Sequence, residues 1–197
     1  MQKRVLAALI LVSGCTPSGS DTADQASLYF ERLSALCNGA AYAGRLVSDD
    51  EADRDFAEAD MVIGPARCDG LTVRIPFAVD EDRSRTWVVT RTVEGIRLKH
   101  DHRHKDGTED VLTQYGGDSL TVGTEAVQAF PADDETKALF VREGIEVSTQ
   151  NTWSIEIEPT RLFAYQMQRP ERLFRVEFDL TTPIETPPLP WGEAPIE

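Results

Sequence analysis

Three histidines, His100, His102 and His104, stand one residue apart in the stretch RLKHDHRHKDG and are the only ones in the chain. Imidazole changes charge near neutral pH and is a common ligand for zinc and copper. Spacing decides how much of that chemistry one strand can host. Residues i and i+4 of a strand lie about 13 Å apart, while a metal–nitrogen bond is about 2.0–2.1 Å, so the three rings cannot share one ion. Two neighbouring rings can. Asp106-Gly107 reads as a two-residue type I′ hairpin turn, which sets His104 opposite Glu109, His102 opposite Val111, His100 opposite Thr113 and Leu98 opposite Tyr115. The expected metal site is therefore His102, His104 and Glu109, with zinc or copper as the ion. The same rings have two further readings: a pH-sensitive site for a polar or anionic small molecule, and a purely structural lining.

Alternation places Ile96, Leu98, His100, His102 and His104 on one face of their strand. Arg97, Lys99, Asp101 and Arg103 take the other, solvated face. The histidine face begins as core and grades to polar toward the turn, like the inner wall of a barrel reaching its mouth. A ligand there would meet His100, Tyr115 and Trp87.

The elements around this strand are mostly further strands. Residues 71–79, LTVRIPFAV, alternate apolar and polar, with Pro76 marking an edge or a bulge. Similar runs occur at 42–48, 59–67, 84–93, 95–104, 108–116, 124–130, 152–159, 161–169 and 172–180. Gly, Pro and Asp pairs punctuate them. Two segments are helical in pattern, 25–39, stopped by Asn38-Gly39, and 131–144, stopped by Gly144. The fold class is mainly β: an antiparallel barrel or sandwich of about 8–10 strands with one or two short helices.

The chain opens MQKRVLAALILVSGC. Lys3 and Arg4 precede an apolar run of eight residues, Val5 to Val12, too short for a bilayer span of about 20. This is a secretory leader, and Val12-Ser13-Gly14-Cys15 resembles the bacterial lipobox. That resemblance implies cleavage before Cys15 and lipidation of its thiol. It also implies a protein anchored in the membrane by acyl chains, and Thr16 at the next position points to the outer membrane facing the periplasm. The expected organisation is a signal peptide at 1–14, a lipidated tether at 15–24, one β-rich domain at 25–182 and a loose Pro-rich tail at 183–197. In that oxidising compartment Cys37 and Cys68 form an even pair and are expected to be bridged.

With 34 acidic against 20 basic residues the net charge is −14. Such a surface repels nucleic acid, which is excluded as a partner. The acidic runs at 48–55 and 131–137 read as solvated loops or helix starts. No nucleophile elbow, P-loop, His-Glu-x-x-His or dinucleotide fingerprint occurs, so catalysis is not expected.

The block SRTWVVTRT…GIRLKHDHRHKDGTEDVLTQYGGD (84–118) resembles uncharacterised secreted proteins and lipoproteins of proteobacteria, a resemblance that implies location and no activity. A small strand-rich barrel is similar to lipocalin-type carriers by architecture alone. Two functions follow. As a binding module, the barrel would hold a small molecule or metal. As a structural or interaction lipoprotein, it would have a filled core and an envelope protein as partner. A cavity of about 300 Å³ or more distinguishes the first from the second.

Overall fold

The alternating segments pair into one antiparallel sheet. In chain order its strands are β1 (Ala41–Leu46), β2 (Met61–Ile63), β3 (Arg67–Asp69), β4 (Thr72–Val79), β5 (Asp82–Arg91) and β6 (Ile96–His102). They continue with β7 (Tyr115–Asp118), β8 (Val127–Pro131), β9 (Thr152–Glu158), β10 (Leu162–Arg169) and β11 (Arg172–Ile184). Three helices accompany them: α1 (Gly19–Ser34), α2 (Arg54–Glu58) and α3 (Asp134–Arg142). The computed structural model describes residues 19–119 and 123–194. The leader, the lipobox with Cys15 and the start of the tether lie outside the described residues.

Neighbouring strands run β7-β6-β5-β4-β2-β1-β11-β10-β9-β8, and β3 adds to β4. The two ends of this order curl round to meet, giving a nearly closed barrel. At the seam, Gly116 carbonyl accepts from the Asp133 N–H at 3.0 Å and from the Thr136 hydroxyl at 2.9 Å. Gly117 is required there, because a Cβ on it would lie 1.9 Å from the Pro131 carbonyl. Pro76 sits where β2 gives way to β3 as the partner of β4, and its carbonyl accepts from the Gly64 N–H. Its missing N–H therefore faces the same interruption, as the sequence anticipated.

Inward side chains change character along the barrel. Val73, Ile75, Val89, Ile96, Leu98 and Ile157 fill one end and are almost fully buried. Helix α1 seals that end with Tyr29, Phe30 and Leu33, joined by Leu36 of the turn that follows it, each contributing about 1.5–3 kcal/mol by burial. The Arg91 guanidinium donates to the Ser27 hydroxyl at 2.7 Å. The Cys37–Cys68 disulfide ties the segment after α1 to β3.

Four expectations are corrected. Helix α1 starts at Gly19 and ends at Ser34, inside the segment assigned to the tether and short of Cys37. Strand β11 runs to Ile184, and the tail beyond it docks instead of hanging loose. The Arg83 guanidinium donates to the Leu189 carbonyl at 2.9 Å, Trp191 N–H to the Arg83 carbonyl at 3.1 Å, and Arg67 pairs with Glu193 at 2.6 Å. The folded unit is thus wider than 25–182. Segment 108–116 forms a strand only from Tyr115, and 48–55 is not wholly solvated, since Asp53 is 2 % exposed.

Candidate functional site

The hairpin after β6 departs from the expected two-residue turn. The His104 N–H donates to the Thr108 carbonyl at 2.8 Å and the Gly107 N–H to the His104 carbonyl at 2.9 Å. Gly107 has φ +88°, so the loop is Lys105-Asp106-Gly107, three residues closed by a left-handed glycine. The cause is Asp106, whose carboxylate accepts from both the Thr108 N–H and its hydroxyl. One added residue moves Arg103 opposite Glu109. The ladder then breaks: the Thr113 hydroxyl accepts the His102 N–H, and Asp110 accepts the Leu112 N–H. Pairing resumes with Tyr115 opposite His100, not opposite Leu98.

This register separates the expected metal ligands. His104 is exposed, with Nδ1 3.8 Å from Asp110. Glu109 accepts from the Arg103 guanidinium at 3.1 Å. His102 points inward, its Nε2 3.2 Å from the Tyr115 hydroxyl. Among the described residues no three His, Cys, Asp or Glu side chains stand together as a metal site. The zinc or copper site at His102, His104 and Glu109 is corrected accordingly: three side chains with three different partners. The outer face is corrected too, because Asp101 is 9 % exposed and pairs with Arg103 and Arg74.

The ligand-binding set fares differently. His100, His102, Tyr115 and Trp87 all line one cavity of about 420 Å³ at the end of the barrel opposite α1. Phe77, Tyr165, Phe174 and Trp153 complete its aromatic walls from β4, β10, β11 and β9. Trp87 stacks between Phe77 and Tyr165, with ring centroids 4.8 Å and 4.4 Å away. Tyr115 stacks on His100 at 4.4 Å. Phe140 of α3, Phe56 of α2 and Leu112 of the irregular loop also line it.

The polar atoms of the floor are satisfied among themselves. His100 Nδ1 lies 3.0 Å from the Tyr115 carbonyl, which can only accept, so Nδ1 carries the proton. Nε2 then accepts from the Tyr165 hydroxyl at 2.8 Å. Burial pushes the His100 pKa down to about 3, and the ring is neutral. His102 is pushed down to about 4, mainly by burial and then by the Arg85 guanidinium. Burial raises both Tyr115 and Tyr165 above the usual tyrosine range.

Charged groups stand higher. Arg172 pairs with Asp53 through both nitrogens of its fork and with Asp50 at 3.2 Å. Arg85 of β5, across the ladder from His102, pairs with Asp82 at 2.7 Å.

Sequence reasoning missed Arg85, Trp153, Tyr165 and the Asp53–Arg172 pair. The first three were within reach, because each occupies the inward phase of an alternating strand toward the cavity end. Asp53 carried no such signal. Compared with family models, with curated proteins and with solved structures, the chain matches none.

Proposed function

We propose that the protein is a lipid-anchored binding module of the bacterial cell envelope that holds a small molecule inside its barrel. The observation that carries the binding part is the cavity of about 420 Å³, walled by aromatic side chains with a few polar groups along one side. That volume and composition are those of small-molecule sites. A filled interior would favour the structural or interaction alternative, and the open end weighs against it. The envelope part rests on the leader, on Cys15 in its lipobox, and on the resemblance of 84–118 to proteobacterial secreted proteins and lipoproteins. Diacyl anchoring would hold such a protein stably on the outer membrane, facing the periplasm.

Native mass spectrometry of the protein extracted from its own envelope tests the binding part. We expect a discrete adduct of small-molecule mass on the wild type. It should be absent from Ser148→Trp, which places an indole into the cavity from the rim. Identical adduct-free spectra for both proteins would refute it.

A further inference from the structure

We propose that the cavity takes an uncharged, largely apolar molecule bearing a carbonyl-type acceptor, which receives the side-chain N–H of Asn151. This deepens the binding reading above and rests on it.

The carbonyl follows from one buried side chain. Asn151 lies between the single turn Glu146–Gln150 and β9, is 7 % exposed and lines the cavity. Its backbone is held twice: the N–H donates to the Ser148 carbonyl at 3.1 Å, and the carbonyl accepts from the Ala132 N–H at 2.9 Å. Its side chain is held at the oxygen, which accepts from the Arg169 guanidinium at 3.2 Å. A guanidinium only donates, so the oxygen must face Arg169 and the amide nitrogen takes the other arm.

Among the described residues the two N–H donors on that nitrogen have no partner. They are not sealed within the protein either. The buried polar atoms without a partner among the described residues are Arg83 Nε, Trp191 Nε1 and Glu193 Oε2. Asn151 Nδ2 therefore reaches open space, and the open space beside Asn151 is the cavity. A ligand that displaces water from this amide without offering an acceptor loses affinity, and one that offers a carbonyl oxygen does not.

The lack of charge follows from the rest of the lining. Its ions are two guanidiniums, Arg85 and Arg172, and two carboxylates, Asp53 and Asp110. Arg172 is bound by Asp53, and Arg85 by Asp82. Asp110 accepts the Leu112 N–H on one oxygen and has the other 3.8 Å from His104. Arg85 and Asp110 act on His102 with opposite sign. No counter-charge is left for an anion or a cation, so an ionic ligand would give up its hydration without return. The other spare hydrogen in the lining is again a donor. The Tyr115 hydroxyl and the neutral His102 ring carry one each, and their mutual bond uses one.

Four ligands on one round apolar body separate the claims: 1-acetyladamantane, 1-ethyladamantane, 1-adamantanecarboxylate and 1-(1-adamantyl)ethylammonium. Each is titrated into the whole mature chain at neutral pH and followed by tryptophan emission, since Trp87 and Trp153 line the cavity. We expect the ketone to bind about tenfold or more tighter than either ion. The carbonyl stretch of the bound ketone should lie below its value in hexane, the infrared mark of an accepted hydrogen bond. Asn151→Asp keeps an oxygen for Arg169 and removes the donors. It should lower the ketone-to-hydrocarbon affinity ratio about tenfold and still bind 1-ethyladamantane, which shows that the variant is folded. Should it fail to fold, the infrared measurement on the wild type decides alone. Either ion binding as tightly as the ketone would overturn the uncharged assignment. A bound carbonyl stretch at the hexane value, or an unchanged ratio in Asn151→Asp, would overturn the carbonyl assignment. Both results leave the binding reading intact, whereas binding of none of the four ligands would overturn it too.

Discussion

His100 ties the stability of the barrel to pH, and the size of the effect can be worked out. Its ring is 2 % exposed, with Nδ1–H on the Tyr115 carbonyl and Nε2 accepting from Tyr165. Neither partner accommodates a second proton: Nε2 would have to give up the Tyr165 hydroxyl hydrogen and turn donor inside the core. Burial accordingly holds the folded pKa at about 3, against about 6.5 when unfolded. Between these values the unfolded chain binds a proton that the folded chain refuses. Stability is therefore full above pH 6.5 and declines as pH falls toward 3. From pH 7 to pH 5 the loss due to His100 is about 2 kcal/mol, and His102, pushed down to about 4, adds a similar amount.

Urea unfolding at the two pH values, read by tryptophan fluorescence, measures the sum. Wild type should lose about 4 kcal/mol and His100→Gln about half of that. The variant should also start about 1–3 kcal/mol less stable at pH 7, because Gln cannot serve both partners. If His100→Gln lost as much between pH 7 and pH 5 as wild type, the buried neutral imidazole would not be the source of acid sensitivity.

Three further outcomes are expected. Cys15→Ser should leave the envelope fraction and carry no acyl mass in whole-protein mass spectrometry; unchanged partitioning with membranes would remove the lipobox reading. Replacing Cys37 and Cys68 by Ala should cost about 3–4 kcal/mol in urea unfolding, from reopening a loop spanning 31 residues, and a cost below about 1 kcal/mol would contradict that account. Asp53→Asn should cost about 3 kcal/mol, the lower end for a broken buried pair because Asp50 stays 3.2 Å from Arg172. An unfolding midpoint equal to that of wild type would show the pair to be inert.

Long strands with strict alternation were legible. In β9 the inward Trp153, Ile155 and Ile157 are all buried, and in β6 Ile96, Leu98 and His100 are too. Their period of two points one way throughout, so no local interaction could override it. The loop from Thr108 to Gln114 was illegible for the opposite reason. Its backbone is held by side chains, Asp106 on Thr108, Asp110 on Leu112 and Thr113 on His102, and such bonds compete with a ladder that alternation alone would extend. The resulting slip put Tyr115 beside His100 and scattered the metal ligands. Asp53 could not be found either: its partner is 119 residues away, and the one cation of its own run, Arg54, pairs with Glu51.

The cavity and the core are products of one pattern. Read toward the histidine end, β4 passes from Val73 and Ile75 to Phe77, β5 from Val89 to Trp87, and β11 from Phe178 and Val176 to Phe174. The aliphatic side chains at their end are almost fully buried. Rings fixed in stacks cannot deform to fill the other. The buried polar atoms there would normally draw water, yet His100 is satisfied within the wall by the Tyr115 carbonyl and the Tyr165 hydroxyl. That leaves an apolar floor and confines unmet hydrogen-bonding demand to Asn151 and the Tyr115–His102 pair. A ligand bound there would gain apolar contact from the whole depth of the cavity and its orientation from these donors. Substitution of Asn151 should therefore alter which molecule is preferred, whereas substitutions of the stacked rings should weaken every ligand alike.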